Sequence, residues 1–274
     1  MTDHRVLITG ASGVVGGLVC PRLRRPGRVL RLMDVVPPGD ALLAGPAEVV
    51  VGSVTDPSAM REACAGVDAV IHLAGLSRED TWEEILEANV VGTRVVLEAA
   101  RSAGVGRVVL ASSGHAVGFR TTEEAGAEGL PADSSARPDT YYGFSKAAME
   151  ALGSLYHSRF GMDVICVRIG SCFSRPPGPH GLRTWLSPDD AGRLFEACLT
   201  AESPGFRIVW GVSRNTRNIY SLREAEELGY RPADDAEVFA ADLLAGLDPQ
   251  ERADEVYVGG RYFTVTAELG VPMA

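Results

Sequence analysis

The run from Arg5 to Thr9 is short and apolar. It opens directly into TGASGVVGGLVC, so no charged residue returns until Arg22. An apolar run closed by glycines and followed by apolar residues at helical spacing reads as strand, tight loop, helix. Gly10, Gly13 and Gly16 are placed where missing side chains let backbone come close to a ligand. The start of a helix favours an anion there, through its unpaired N–H groups and its dipole. The bland alternative is a tight turn, since glycine triplets alone are a weak signal and gain weight from their context.

The pattern then repeats. RVLRLMD ends at Asp34, EVVVG ends at Gly52, and a helix is expected from about Pro57, where a missing N–H is harmless in a first turn. DAVIHLAG is a fourth strand, TWEEILEANVVGTRVVLEAARSAGV a long helix, RVVLASSG a fifth strand, and DVICVRIG a sixth. Nearly all-apolar strands alternating with helices belong to a parallel sheet buried on both faces. The expected class is α/β, a doubly wound parallel sheet of the Rossmann kind, with ligand sites beyond the carboxyl ends of the strands. EEAGAEGLPADSSARPDT reads as a surface loop. After Gly170 the regularity weakens into CFSRPPGPHGLRTW, followed by a helix opening at SPDDAGRL with Ser187 as N-cap. The expected division is a core over 1–170 and a smaller substrate-covering region with a C-terminal tail over 171–274.

The 274 residues carry a formal net charge of -10 and no basic cluster, which argues against nucleic acid and anionic membranes as partners. The five cysteines, Cys20, Cys64, Cys166, Cys172 and Cys198, are scattered without CxxC spacing. They suit reduced thiols and no zinc site. MTDHRVLITG runs straight into a strand, and no stretch reaches membrane-spanning length, so a soluble cytoplasmic protein is expected.

Two constellations carry chemistry. Asp34 closes the second strand eighteen residues beyond Gly16. A carboxylate there accepts hydrogen bonds from ribose hydroxyls and repels a 2′-phosphate, which favours NAD over NADP. The bland alternative is a solvated strand-end charge. In YYGFSKAAMEAL, Tyr142 and Lys146 are four apart and share a helix face, whereas Tyr141 turns away. A phenol titrating near ~10 is a poor base at neutral pH, and an adjacent ammonium favours its ionised form. Ser113, at the end of strand five, can orient the substrate oxygen that loses its proton. Here the bland alternative is a half-buried aromatic beside a solvated lysine. His72, alone at a strand end, is more often structural than functional.

GASGVVG, HLAG, EANVVGT, ASSGH, YYGFSK and RIGSCF, in this order, resemble the extended short-chain dehydrogenase/reductase superfamily. EANVVGTRVVLEAAR, SSGHAVGF, VRIGSC, TWLSPDDAGRL and VVWGVSRNT are together similar to the uronate dehydrogenases, which oxidise the anomeric hydroxyl of galacturonate or glucuronate with NAD to an aldarolactone. The resemblance implies Tyr142 as general base, Lys146 as its partner and ribose contact, and Ser113 as the orienting hydroxyl. It places Gly10, Ser12, Gly13, Val14, Val15, Gly16, Asp34, Ser53, Val54, Leu73, Ala74, Gly75, Asn89 and Ser112 around NAD. It places Ser77, Ser113, Gly114, His115, Tyr142, Ser171, Cys172 and His180 at the sugar acid, and it implies a homo-oligomer paired through the two long helices.

Three departures stand out. Relatives typically read SSNH where Gly114 falls, have an arginine where His180 falls, and have an acidic residue facing the adenine where Ser53 falls, with Asp56 close by. Because the overall charge does not attract a uronate, recognition of its carboxylate needs a local cation or several donors; arginine suits a bidentate grip best, which points to Arg183, with Arg175 in reserve, the bland alternative being solvated loop arginines. One rival is an epimerase, dehydratase or reductase of a nucleotide sugar or another polyol. Against it, only 106 residues follow Arg168. The other rival is a non-catalytic NAD sensor, which the presence of both Tyr142 and Lys146 disfavours.

Overall fold

The computed structural model describes residues 4–247, 256–260 and 268–273. The strands are β1 (His4–Thr9), β2 (Arg28–Asp34), β3 (Ala47–Val51), β4 (Ala69–His72), β5 (Arg107–Ser113), β6 (Asp163–Ile169), β7 (Ser171–Cys172), β8 (Trp185–Leu186) and β9 (Phe206–Gly211). Seven of them form one sheet in the order β3-β2-β1-β4-β5-β6-β9, and every neighbouring pair is parallel. The order reverses between β1 and β4, which opens a crevice at the carboxyl ends of these two strands. β7 and β8 pair separately beside that end.

Alternation along each strand divides the core into two layers, because successive side chains point to opposite faces. Val6 and Ile8 of β1 pack on one side with Val109, Ile165 and Val167. Leu7 packs on the other with Val70, Val108 and Leu110. Helices α1 (Val14–Val19), α2 (Asp40–Leu43), α3 (Pro57–Cys64), α4 (Trp82–Ile85), α5 (Gly92–Ser102), α6 (Tyr141–Phe160), α7 (Gly181–Thr184) and α8 (Pro188–Thr200) follow in chain order. The first layer includes Val19 of α1 with Leu194, Phe195 and Cys198 of α8. The second includes Met60 of α3, Val96 of α5 and Met149 of α6.

Local chemistry accounts for the helix ends. Ser187 caps α8 by accepting from Asp190 N at 2.9 Å, as the sequence predicts. Thr140 caps α6 by accepting from Gly143 N at 2.9 Å, and Gly161, at φ 70°, ends that helix in the left-handed conformation. Two features go beyond the sequence reading. The long helix expected before Gly104 is interrupted by a π-helical segment, Leu86–Val91, between α4 and α5. β9 and α8 lie beyond residue 170 yet belong to the main sheet and its core.

In the C-terminal stretch Tyr257 bridges Thr121 in antiparallel fashion, while residues 261–267 lie outside the described part. Among the described residues no helix is long and apolar enough to cross a membrane.

Candidate active site

A cavity of about 700 Å³ opens at the carboxyl ends of β1, β4 and β5. One wall is the glycine loop. Gly10 has φ +71°, and a Cβ there would stand 2.6 Å from Ala74 N. At Gly16 it would stand 2.4 Å from Gly10 O, so any side chain would force the loop and α1 apart. Gly13 caps α1 without a side chain, which leaves the first-turn N–H groups without a side-chain acceptor. Asp34 receives Ser12 N on Oδ2 at 2.9 Å and Val35 N on Oδ1 at 2.8 Å. Its carboxylate is thus tied to the loop, and both oxygens keep lone pairs for further donors. A backbone cradle with no room for Cβ, an uncapped helix start and a carboxylate at the next strand end fit a dinucleotide.

The opposite wall comes from β5 and α6. Tyr142 is buried, and burial pushes its phenol up to about 12; Ser113 acts against this and the nearby Asp139 carboxylate adds to it. Lys146 donates to Ala111 O at 2.8 Å, and its Nζ lies 5.4 Å from the Tyr142 ring centroid. Burial lowers this ammonium to about 8, and Glu150 one turn along α6 pulls it back up. Tyr142, Ser113, Ser112 and Lys146 all line the cavity with Gly10, Gly13, Val14, Val15, Gly16, Leu73 and Gly75. On its outer side are Ser77, His115, Ser171, Cys172 and His180. His115 is oriented by a 2.8 Å contact from Nδ1 to Asp139 and packs edge-on against Tyr142, with ring centroids 5.7 Å apart.

Several expected residues play other parts. Ser12 reaches the cradle through Asp34, and Ala74 packs over Gly10. Ser53 pairs its hydroxyl with Thr55 at 2.8 Å, and Val54 is buried beside Gly92; neither is among the residues lining the cavity. Nor are Gly114, beside Trp210, and Arg183. Arg175 donates to Asp242 at 2.7 Å. Asn89 sits in the π-helical segment, where Oδ1 accepts from Leu76 N at 2.8 Å and Nδ2 donates to Leu76 O at 3.0 Å and Ser145 Oγ at 2.9 Å. It fastens the β4 loop to α6. His72 is structural: Nδ1 meets Thr9 Oγ1 at 2.8 Å and Nε2 meets Thr93 Oγ1 at 3.3 Å. Thr93 already donates to Asn89 O, so His72 gives its proton from Nε2, and burial holds the ring neutral by lowering it to about 3.

The sequence reading missed Glu79 and Glu150. Glu79 is buried and receives Tyr141 N at 3.2 Å and Tyr142 N at 2.8 Å at the start of α6. Glu150 accepts from Ser112 Oγ at 2.6 Å and from Arg168 through two bonds of 2.8 Å. Only the helical spacing of Glu150 from Lys146 hints at its place; Glu79 has no local signal at all.

Parallel sheet, glycine cradle and a Tyr–Lys–Ser group at the carboxyl end of β5 together define a short-chain dehydrogenase/reductase fold and site. The chain belongs to the NAD dependent epimerase/dehydratase family, whose model matches residues 6–201. It is similar to the uronate dehydrogenase of Pseudomonas putida, at 41% identity over 94% of this chain and 95% of that protein. Among solved structures it resembles a tyrosine-to-alanine variant of the uronate dehydrogenase of Agrobacterium tumefaciens complexed with NAD. The TM-score is 0.86 at 36% identity, covering 95% of this chain and 97% of the other. It also resembles the glucuronic acid dehydrogenase of Chromohalobacter salexigens, with TM-score 0.86 at 35% identity over 95% and 96% of the two chains.

Proposed function

We propose that this chain is an NAD-dependent dehydrogenase that oxidises the anomeric hydroxyl of a hexuronate, galacturonate or glucuronate, to an aldarolactone. The observation that carries the reading is one cavity lined both by the glycine loop and by Tyr142, Lys146 and Ser113. The similarity to uronate dehydrogenases over nearly the whole chain supports the same substrate class.

NAD, when bound, supplies the hydride acceptor. Tyr142 Oη takes the hydroxyl proton of the sugar, and Ser113 holds the same oxygen in line. Burial makes the phenol reluctant to ionise, so the positive charge of Lys146, fixed on Ala111 O, favours the phenolate as it forms. Asp139 keeps His115 oriented beside the phenol at the sugar side. Asp34 receives the adenosine ribose, and its charge disfavours a 2′-phosphate.

Reduced, buried cysteines support a cytoplasmic location. Phe144, Leu155 and Phe160, exposed on α6, support pairing of two copies through that helix.

NADH formation with galacturonate and glucuronate, against galactose, glucose and a nucleotide sugar, tests the reading, with NAD and NADP in parallel. Turnover with NAD is expected, at far higher kcat/KM for the uronates than for the neutral sugars. The Tyr142→Phe variant should lose about 10²- to 10⁴-fold in kcat and still bind NAD. Full activity in that variant, or oxidation of the nucleotide sugar alone, refutes the assignment.

A further inference from the structure

A hexuronate carries one carboxylate that its parent hexose lacks, and a protein of net charge -10 offers it no general attraction. Discrimination therefore needs a local cation or several hydrogen-bond donors, and the forked donors of arginine match a carboxylate best. Arg175, which pairs with Asp242, is not among the residues lining the cavity. Neither is Arg183. Among the described lysines and arginines, those that line it are Arg78 and Lys146. Lys146 is buried and bound to Ala111 O beside Tyr142, where the proton is to be removed.

Arg78 stands on the loop after β4, and this loop is held on both sides of it. Leu76 is gripped at both N–H and carbonyl by Asn89, at 2.8 and 3.0 Å. Glu79, the next residue, receives Tyr141 N, Tyr142 N and Gly270 N at 3.2, 2.8 and 3.0 Å. The short span Ser77–Arg78 thus runs between two anchors, one of them the first turn of the helix that carries Tyr142. Backbone that cannot drift keeps the arginine in register with the phenol, and this preorganisation is what a specificity contact requires. Ser171 and His180 line the same cavity and add polar groups for the sugar.

We propose that Arg78 is the specificity-determining residue of the site and holds the carboxylate of the substrate. The proposal rests on the hexuronate reading. It moves the cation from the Pro-Gly loop, where the sequence places it, to the loop after β4.

The test is steady-state kinetics of R78A, R78K, H180A and R183A with galacturonate and glucuronate, galactose as the neutral reference, and an NAD titration of each variant to show an intact fold. R78A should raise KM for the uronates about 10- to 100-fold, the loss expected for charge-assisted hydrogen bonds. R78K should recover part of this, because charge returns without the fork, and R183A should leave KM where it was. An unchanged KM in R78A overturns the proposal, as does a loss of the same size with galactose, which marks general damage to the loop. A loss carried by R183A or H180A instead also overturns it. Failure of the wild-type protein to oxidise either uronate refutes the hexuronate reading itself, and it is seen before any variant is compared.

Discussion

Removal of Glu150 examines how far Lys146, the proposed partner of the Tyr142 phenol, depends on charge buried beneath it. The Glu150 carboxylate accepts from Ser112 at 2.6 Å and twice from Arg168 at 2.8 Å, with the two charged side chains 6% and 1% exposed. Glu150→Ala leaves the guanidinium of Arg168 with Ser134 O and the face of Trp210 as its remaining partners. Breaking a buried pair from one side costs about 3–5 kcal/mol, because the orphaned charge stays out of water. For a chain of this size each kcal/mol moves Tm by about 2–4 °C, so the midpoint should fall by about 6–20 °C. The double variant Glu150→Leu with Arg168→Met removes both charges and should melt above the single variant, since an apolar replacement of the whole pair is close to neutral.

Function gives a second readout of the same change. Glu150 opposes the depression of Lys146, so without it the ammonium falls further below about 8. The groups facing Lys146 are Tyr142 and Glu150 on its own helix and His72 on β4, with Arg168 on β6 bonded to Glu150. His72 is neutral and Arg168 is positive, so nothing replaces the lost carboxylate. The alkaline limb of kcat/KM should move to lower pH. Circular dichroism melts and a pH–rate profile measure both effects. A single variant that melts with the wild type, a double that melts no higher than the single, or an unmoved alkaline limb refutes the reasoning.

Other consequences follow from the same geometry. Gly16→Ala forces a Cβ to within 2.4 Å of Gly10 O, and isothermal titration should show NAD binding lost while Gly17→Ala, where nothing lies within 4 Å, keeps it. Asp34→Ala should weaken NAD and narrow the preference over NADP, read as the ratio of kcat/KM for the two cofactors. In acid, His72 stays neutral when folded but takes a proton when unfolded, so stability should fall by about 1.4 kcal/mol for each pH unit from 6.5 down to about 3. In alkali, burial raises all five thiols, Cys20, Cys64, Cys172 and Cys198 from 9.0 to about 12 and Cys166 well above 9.0, and the unfolded thiols ionise first. Stability should drop as pH rises above 9.0, by about 7 kcal/mol per unit once all five are ionised in the unfolded chain. Lys146 works the other way between about 8 and 10.5, but one lysine is outweighed by five thiols. Denaturant titrations across pH should therefore place the stability maximum between 6.5 and 9.0, and a maximum outside that range contradicts the assignment.

The glycine loop, the succession of six strands along the chain, the cap at Ser187 and Asp34's place at the end of β2 were legible in the sequence because each rests on local pattern. Alternation gives strand faces, glycine gives close approach, and a four-residue spacing gives the shared face of Tyr142 and Lys146. β9 was not read as a strand of the sheet, since FRIVWG has the same short apolar run as many segments and only pairing with β6 gives it a role. The π-helical turn at Asn89 was invisible for a similar reason: the sequence keeps helical spacing throughout, and the extra residue per turn appears once Leu76 and Ser145 are there to receive the side chain.

The sequence by itself determined the kind of chemistry, because a base, its cation and a cofactor cradle must use particular residue types at particular spacings. Tertiary structure alone decided which groups line the cavity and which hold that lining in place. Glu79 meets the first turn of α6 from 62 and 63 residues away, and Glu150 meets Arg168 from 18. Arg78 reaches the cavity that Arg183 does not line. Distances of this kind are set by how layers pack around the sheet, and no local pattern along the chain records them.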